Sequence, residues 1–180
     1  EEHMKKITPF LWFDGKAEQA MNFYVSVFKD GEVLSVSRRS KGEPAFSVRF
    51  KLHGQEFMGL NGGPHFHFTE AISMFVDCAD QAEVDDLWEK LSKGGSKGQC
   101  GWLKDKFGLS WQIIPRGMGR LMSDQNPVRA QAAVKAMMEM KKFDLAKMEA
   151  AADKAELAHQ AEAEAKSKSK SKSKSKSKAS

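Results

Sequence analysis

Apolar and polar residues follow two periods along this chain, and these predict most of its elements. Residues 7–13 are apolar enough for a buried strand, and Asp14-Gly15 follows as a turn. From Lys16 to Phe28 the period lengthens. Ala17, Ala20, Met21, Tyr24 and Phe28 recur at helical spacing and predict an amphipathic helix with one core-facing stripe. Residues 33–38 read as a strand of mixed faces. Residues 45–52 alternate cleanly, with Phe46, Val48, Phe50 and Leu52 on one side and Ala45, Ser47, Arg49 and Lys51 on the other. His53-Gly54 predicts a hairpin turn into a strand over Gln55–Asn61, and Gly62-Gly63-Pro64 then breaks the chain.

The same order recurs further on. Sliding the chain by 64 positions brings Phe23-Tyr24 onto Leu87-Trp88 and Leu11 onto Phe75. A strand is expected at 71–77 and a helix over 81–92, with Asp80 as its N-cap. Residues 93–101 are too irregular for a long strand. A short strand at 102–105, a Lys106-Phe107-Gly108 turn and a closing strand at 109–115 complete the copy. Residues 54–61 and 108–115 have equal length and set Phe57 on Trp111, Met58 on Gln112 and Leu60 on Ile114. A repeat of this length means two equivalent supersecondary units. The prediction is an α+β fold of two tandem βαβββ units, residues 5–64 and 65–120. C-terminal helices follow over 121–148, one opening at Asn126-Pro127 and another near Asp144. An Ala/Glu-rich helical extension spans 149–165, and a low-complexity Lys-Ser tail, 166–180, is expected to be disordered. Residues 1–4 are expected to be a cloning remnant around a start methionine.

Charge changes the picture once the tail is separated. The net charge is +5, from 29 basic and 24 acidic residues. Seven lysines alternate with serine from Lys166 to Lys178. Without them 22 basic residues face 24 acidic ones, so the body carries no basic footprint for nucleic acid. The tail has two readings, a weak, salt-dependent binder of acidic polymers or membrane surface, or a solubilising addition. No apolar run approaches membrane-spanning length. Cys78 and Cys100 lack CxxC spacing and predict free thiols in a reducing cytoplasm. Cys100 has no basic partner at fixed spacing that would make it a nucleophile. His65 and His67 stand at i and i+2, a spacing that in a strand points both to one side, where they form a metal pair or are plain linker residues.

Two consecutive βαβββ units, with LWFDGKAEQAMNFY in the first, NGGP closing it and CGWLKDKFGLSWQIIP closing the second, resemble the glyoxalase, bleomycin-resistance and dioxygenase (vicinal oxygen chelate) superfamily. Within it the resemblance is to the PhnB-like branch, also labelled 3-demethylubiquinone 3-methyltransferase-like, and covers residues 5–148. It implies sheets that form a cup for a small ligand, helices on the outside, and a homodimer, often with units exchanged between chains. It also implies metal ligands, a His from each first strand and a Glu from each last strand. In this chain those positions fall near Ile7 or Thr8 and residues 71–73, and on Met58 and Gln112. None offers the imidazole or carboxylate that a borderline divalent metal prefers. No cofactor is expected, and any metal would fall to His65 and His67.

For the implied cup, the candidate ligand-binding residues are Trp12, Arg49, Met58, Asn61, Trp102, Phe107, Trp111 and Gln112. Arg49 offers a bidentate cation to an anionic ligand, or else stands at a solvated edge or in an inter-subunit charge pair. Asn61 and Gln112 orient a ligand through their amides or are satisfied core amides. The four aromatics line the cup or belong to the core. The expected function is binding of a small organic molecule, aromatic, quinone-like or anionic, without the usual metal ligands. The alternative is an enzyme of the glyoxalase, dioxygenase or methyltransferase-like class acting with no metal or an atypical one. A weaker third reading is a regulatory partner protein working through its C-terminal helices. No nucleic-acid or membrane partner is expected.

Overall fold

The computed structural model describes residues 7–177, with side chains through Lys170. Among these residues the strands form two four-stranded sheets. The first contains β1 (Phe10–Phe13), β2 (Glu32–Ser37), β3 (Ser47–Leu52) and β4 (Gln55–Asn61), in the order β1-β4-β3-β2. The second contains β5 (Met74–Cys78), β6 (Ser96–Lys97), β7 (Trp102–Lys104) and β8 (Ser110–Pro115), in the order β5-β8-β7-β6. The two orders are the same once each strand is matched to its counterpart. The α+β arrangement of two βαβββ units therefore stands. Its helices are α1 (Ala17–Val27), α2 (Gln81–Ser92), α3 (Met118–Met122), α4 (Pro127–Met138) and α5 (Leu145–Ser177).

Two differences from the sequence expectation have physical reasons. The first strand begins at Phe10 rather than Ile7. Pro9 has no N–H for a ladder, and Ile7 stays 88% exposed. The helix of the C-terminal extension also continues through the Lys-Ser repeat to Ser177, where the composition predicts disorder. Lysine is a good helix former, and extending an existing helix adds a hydrogen bond for each residue fixed.

The chain divides into two compact units. One comprises the residues up to Phe75 together with Asp86–Lys97 and Leu103–Gln112. The other comprises Val76–Asp85, Gly98–Trp102 and the residues from Ile113 on.

In the first unit, α1 packs on β2, β3 and β4. Its buried residues Ala17, Ala20, Met21, Tyr24 and Val27 meet Leu11, Phe13, Val48, Phe50 and Leu52, all buried. A β-carbon on Gly59 would stand 2.8 Å from Val48, so this helix-covered side of β4 is closely packed. At the centre Asp105, 2% exposed, accepts four hydrogen bonds. Tyr24 Oη donates at 2.7 Å and Trp111 Nε1 at 2.9 Å to one carboxylate oxygen. The backbone N–H groups of Phe107 and Leu109 donate to the other at 2.8 and 3.2 Å. One buried carboxylate thus holds α1, β8 and the turn between β7 and β8 together.

In the second unit the C-terminal helices form their own small core of Leu121, Ala133 and Met148. Asn126 caps α4 by accepting from Val128 N at 3.0 Å, with Pro127 at the first helical position. Arg129 on α4 pairs with Asp124, Asp153 and Glu156, tying α4 to α5. The Gln81 amide donates to Phe143 O at 2.8 Å and accepts from Leu145 N at 3.0 Å, which fixes the start of α5.

The Asp105 cluster generates a stability prediction. Burial pushes its carboxyl above the ordinary aspartate range, and the four donors pull the other way. The folded state therefore holds this proton more tightly than the unfolded chain does. The stabilisation from this linkage is complete below the unfolded-state value and is lost as pH rises through the folded-state value. Asp105→Asn turns an acceptor into a donor facing Trp111 and is expected to cost about 2–4 kcal/mol in urea unfolding. The gap between wild type and Asp105→Asn should narrow from pH 4 to pH 7. A gap that widens over that range contradicts the assignment.

Candidate functional site

The register of the first sheet sorts its side chains. Leu11, Gly59 and Val48 are paired across the strands on the side that α1 covers. Their neighbours Phe10, Met58 and Arg49 are likewise paired and must point the other way, as a row across three strands. Trp12, Leu60 and Ser47 form the next row. Of the expected ligand-binding residues, the structure therefore brings Trp12, Arg49 and Met58 to one uncovered sheet face. Phe10, which no sequence motif singles out, joins them and is 54% exposed.

Arg49 is the chemically informative member of this face. Its Nη2 donates to Glu56 Oε2 at 3.1 Å, and Glu56 is buried on the same strand face. Arg49 Nε is buried without a hydrogen-bond partner. A guanidinium carries five donor hydrogens, and Glu56 accepts from one nitrogen only. The carboxylate thus orients the cation and leaves donor capacity on the face. Arg49 is thus paired within its own sheet, which the sequence did not indicate, and is still incompletely satisfied.

The other expected residues lie elsewhere. Asn61 points to the helix-covered side. Its Oδ1 accepts from Ala17 N at 2.9 Å, and its Nδ2 donates to Ala45 O at 2.8 Å. It acts as the N-cap of α1 supplied from β4, because Lys16 at the helix start makes no side-chain cap. Trp111 is 2% exposed, donates to Asp105 and stacks on Phe28 with ring centroids 5.6 Å apart, so it is core. Phe107 lies against Phe13, Phe23 and Tyr24. Gln112 donates through its amide to Ser73 Oγ at 2.9 Å, and Ser110, on the same side of β8, has a buried hydroxyl oxygen without a partner. Trp102, in the other compact unit, is half-buried on β7.

The NGGP motif has a local reason in this geometry. A β-carbon on Gly62 would stand 2.2 Å from the Trp12 ring, so only glycine lets the indole close over the chain. Trp12 Nε1 then donates to Gly63 O at 2.9 Å. Beyond it, Phe66 meets Trp12 edge to face at 4.9 Å. A cleft of about 340 Å³ opens beside these rings and is lined by Phe66, Phe68 and Phe107 together with Lys16 and Lys106. His67 also lines it, whereas His65 is an exposed linker residue outside it. Sequence reasoning did not find this cleft, because its residues come from three distant segments.

Met58 and Gln112 do not supply a hard or borderline ligand set, and the Gln112 amide is engaged with Ser73. Among the described residues no group of three or more His, Cys, Asp or Glu side chains is placed to hold an ion.

The comparisons agree with the topology. Residues 5–114 match the family model described as 3-demethylubiquinone-9 3-methyltransferase. The PhnB protein of Bacillus cereus is 39% identical, with a TM-score of 0.58 over 62% of this chain and 99% of that one. A Pseudomonas aeruginosa protein matches with a TM-score of 0.53 at 18% identity, over 62% of this chain and 98% of that one, which is a likeness of fold. A fosfomycin resistance protein of Listeria monocytogenes, solved with Mn(II) and sulfate, is 14% identical with a TM-score of 0.44 over 62% and 89%. No curated protein matches the chain.

The cysteines yield a prediction at this point. Cys78 is wholly buried, and burial, reinforced by Glu83 and Asp77, pushes its thiol up to about 12. It is therefore a thiol rather than a thiolate at neutral pH. Iodoacetamide at pH 8 should label Cys100 alone in the folded protein and both cysteines in urea. Labelling of Cys78 at the Cys100 rate without denaturant contradicts its placement.

Proposed function

The chain belongs to the 3-demethylubiquinone-9 3-methyltransferase family, a PhnB-like branch of the glyoxalase, bleomycin-resistance and dioxygenase superfamily, and on that premise we propose that it binds a small anionic organic molecule on the uncovered face of its first sheet. The observation that supports this most is the Phe10-Met58-Arg49 row, an oriented cation with open donors beside apolar side chains. An anion on Arg49 would gain charge-assisted hydrogen bonds while its organic part covers Met58 and Phe10. Trp12 closes the row beyond.

The family description also implies methyl transfer, and the residues do not fit S-adenosylmethionine in the usual strand–turn–helix manner. The turn after β1, Asp14-Gly15-Lys16, has a single glycine, and the first amide N–H of α1 is already taken by Asn61. The second reading, an enzyme acting on the same class of molecule, is favoured by the incompletely satisfied Arg49 and Ser110, since unpaired buried polar atoms concentrate where chemistry is done.

A homodimer belongs to the same proposal, with exchanged units as one form of it. Ile72 and Phe75 are each 60% exposed in the single chain, which is unusual for large apolar side chains unless something covers them. No described helix is long and apolar enough to cross a membrane. Two free cysteines suit a reducing compartment such as the cytoplasm.

The test is calorimetry with a panel of aromatic and quinone carboxylates on wild type, Arg49→Gln and Met58→Ala. Arg49→Gln should weaken binding of an anionic member about tenfold or more, and Met58→Ala should weaken it less. Equal affinity across all three proteins removes this face as the binding surface.

A further inference from the structure

We propose that the 340 Å³ cleft at the end of β1, which adjoins the Arg49 face at Trp12, is a second ligand site and takes a small planar aromatic anion such as an aryl carboxylate. Its volume lies in the range of small-molecule sites. Phe66, Phe68 and Phe107 present ring surface to it. These rings are held from behind. Phe13 meets Phe68 at 5.3 Å and Phe107 at 6.3 Å, both edge to face, and Trp12 holds Phe66. The frame is therefore set before a ligand arrives, which spares the cost of ordering it.

The charged groups at the cleft leave a net positive charge. Lys106 Nζ sits 4.3 Å from the Phe23 ring centre and 5.4 Å from that of Phe107. These cation–π contacts fix the ammonium over an aromatic wall without neutralising it. Neither Lys106 nor Lys16 pairs with a carboxylate among the described residues, whereas Lys51, Lys90, Lys97 and Lys104 do. Asp14 also lines the cleft, so two lysines face one carboxylate. A second groove of about 710 Å³ shares Lys16, Lys106 and Phe107 and runs along α1 past Gln19 and Asn22. A ring stacked in the cleft would set its carboxylate at the Lys106 ammonium, and substituents could extend into the polar groove.

The geometry excludes the closest alternative chemistry. A dinucleotide or other polyphosphate would need more donors than two lysines and a helix start whose first N–H is already used. A neutral apolar ligand would not need two unpaired ammoniums at the wall.

The test uses 1-naphthoate and its neutral analogue 1-naphthalenemethanol as probes on the full chain, read by quenching of tryptophan emission and by calorimetry. Variants are Lys106→Gln, Phe66→Ala and, as a control at the other face, Arg49→Gln. Phe66 is 64% exposed, so its removal leaves the core intact. Naphthoate is expected to bind saturably, Lys106→Gln to weaken it about tenfold, Phe66→Ala to weaken both probes, and Lys106→Gln to leave the neutral probe unchanged. Arg49→Gln should have no effect on naphthoate in the cleft. Absence of saturable binding to 5 mM probe, or loss on Arg49→Gln with Lys106→Gln silent, overturns the assignment of this site. Failure of the Arg49 face alone leaves that result unchanged, so the two proposals fail separately.

Discussion

The first compact unit depends on one buried carboxylate. Asp105 receives a tyrosine hydroxyl from α1, an indole N–H from β8 and two backbone amides from the turn between β7 and β8. A carboxylate out of water is tolerated only when its lone pairs are met, and here all four bonds are short enough to count. The cost still shows in its raised proton affinity and in that of Tyr24, which burial pushes well above the ordinary tyrosine value, with Asp105 adding to the shift. Tyr24 is one of the core-facing residues of α1, so this network fixes where the helix lies on β3. That position decides which face of the first sheet is covered and which is left open.

The open face follows from that constraint. With Val48, Phe50 and Leu52 under α1, strand alternation leaves Arg49 on the other side, where Glu56 holds it. The same alternation leaves Phe10 and Met58 beside it. The binding proposal therefore rests on the packing of the core, because a one-residue slip of β3 would bury Arg49 and expose Phe50.

Much of the fold was legible in the sequence. Residues 45–52 alternate so regularly that the two faces of β3 were evident, and the 64-residue offset predicts the repeated strand order that the two sheets display. The helical stripe of Ala17, Ala20, Met21 and Tyr24 is buried as its spacing implies. The candidate site was less legible. Asn61 reads in the sequence as either a ligand amide or a satisfied core amide, and the partners that decide, Ala17 N and Ala45 O, are distant along the chain and become visible only when folded. Trp111 differs for a related reason. An indole at strand spacing is equally suited to a cup or a core, and Asp105 decides between them. The Asp-Lys-Phe-Gly sequence carried a signal for Asp105, since aspartate often accepts from backbone N–H groups two residues on in a turn. Nothing in the local sequence marks the cleft of Phe66, Phe68 and Lys106, whose walls come from separate segments.

The most direct measurement is elemental analysis for divalent metals beside native mass spectrometry of the full chain, both with and without chelator. A small organic molecule retained on a dimer, at a metal content well below one ion per chain, is the result predicted for a family member that binds its ligand through Arg49 and apolar side chains. Stoichiometric metal that survives gel filtration and is lost with the ligand on chelation would contradict that mode of binding and direct attention to His65 and His67.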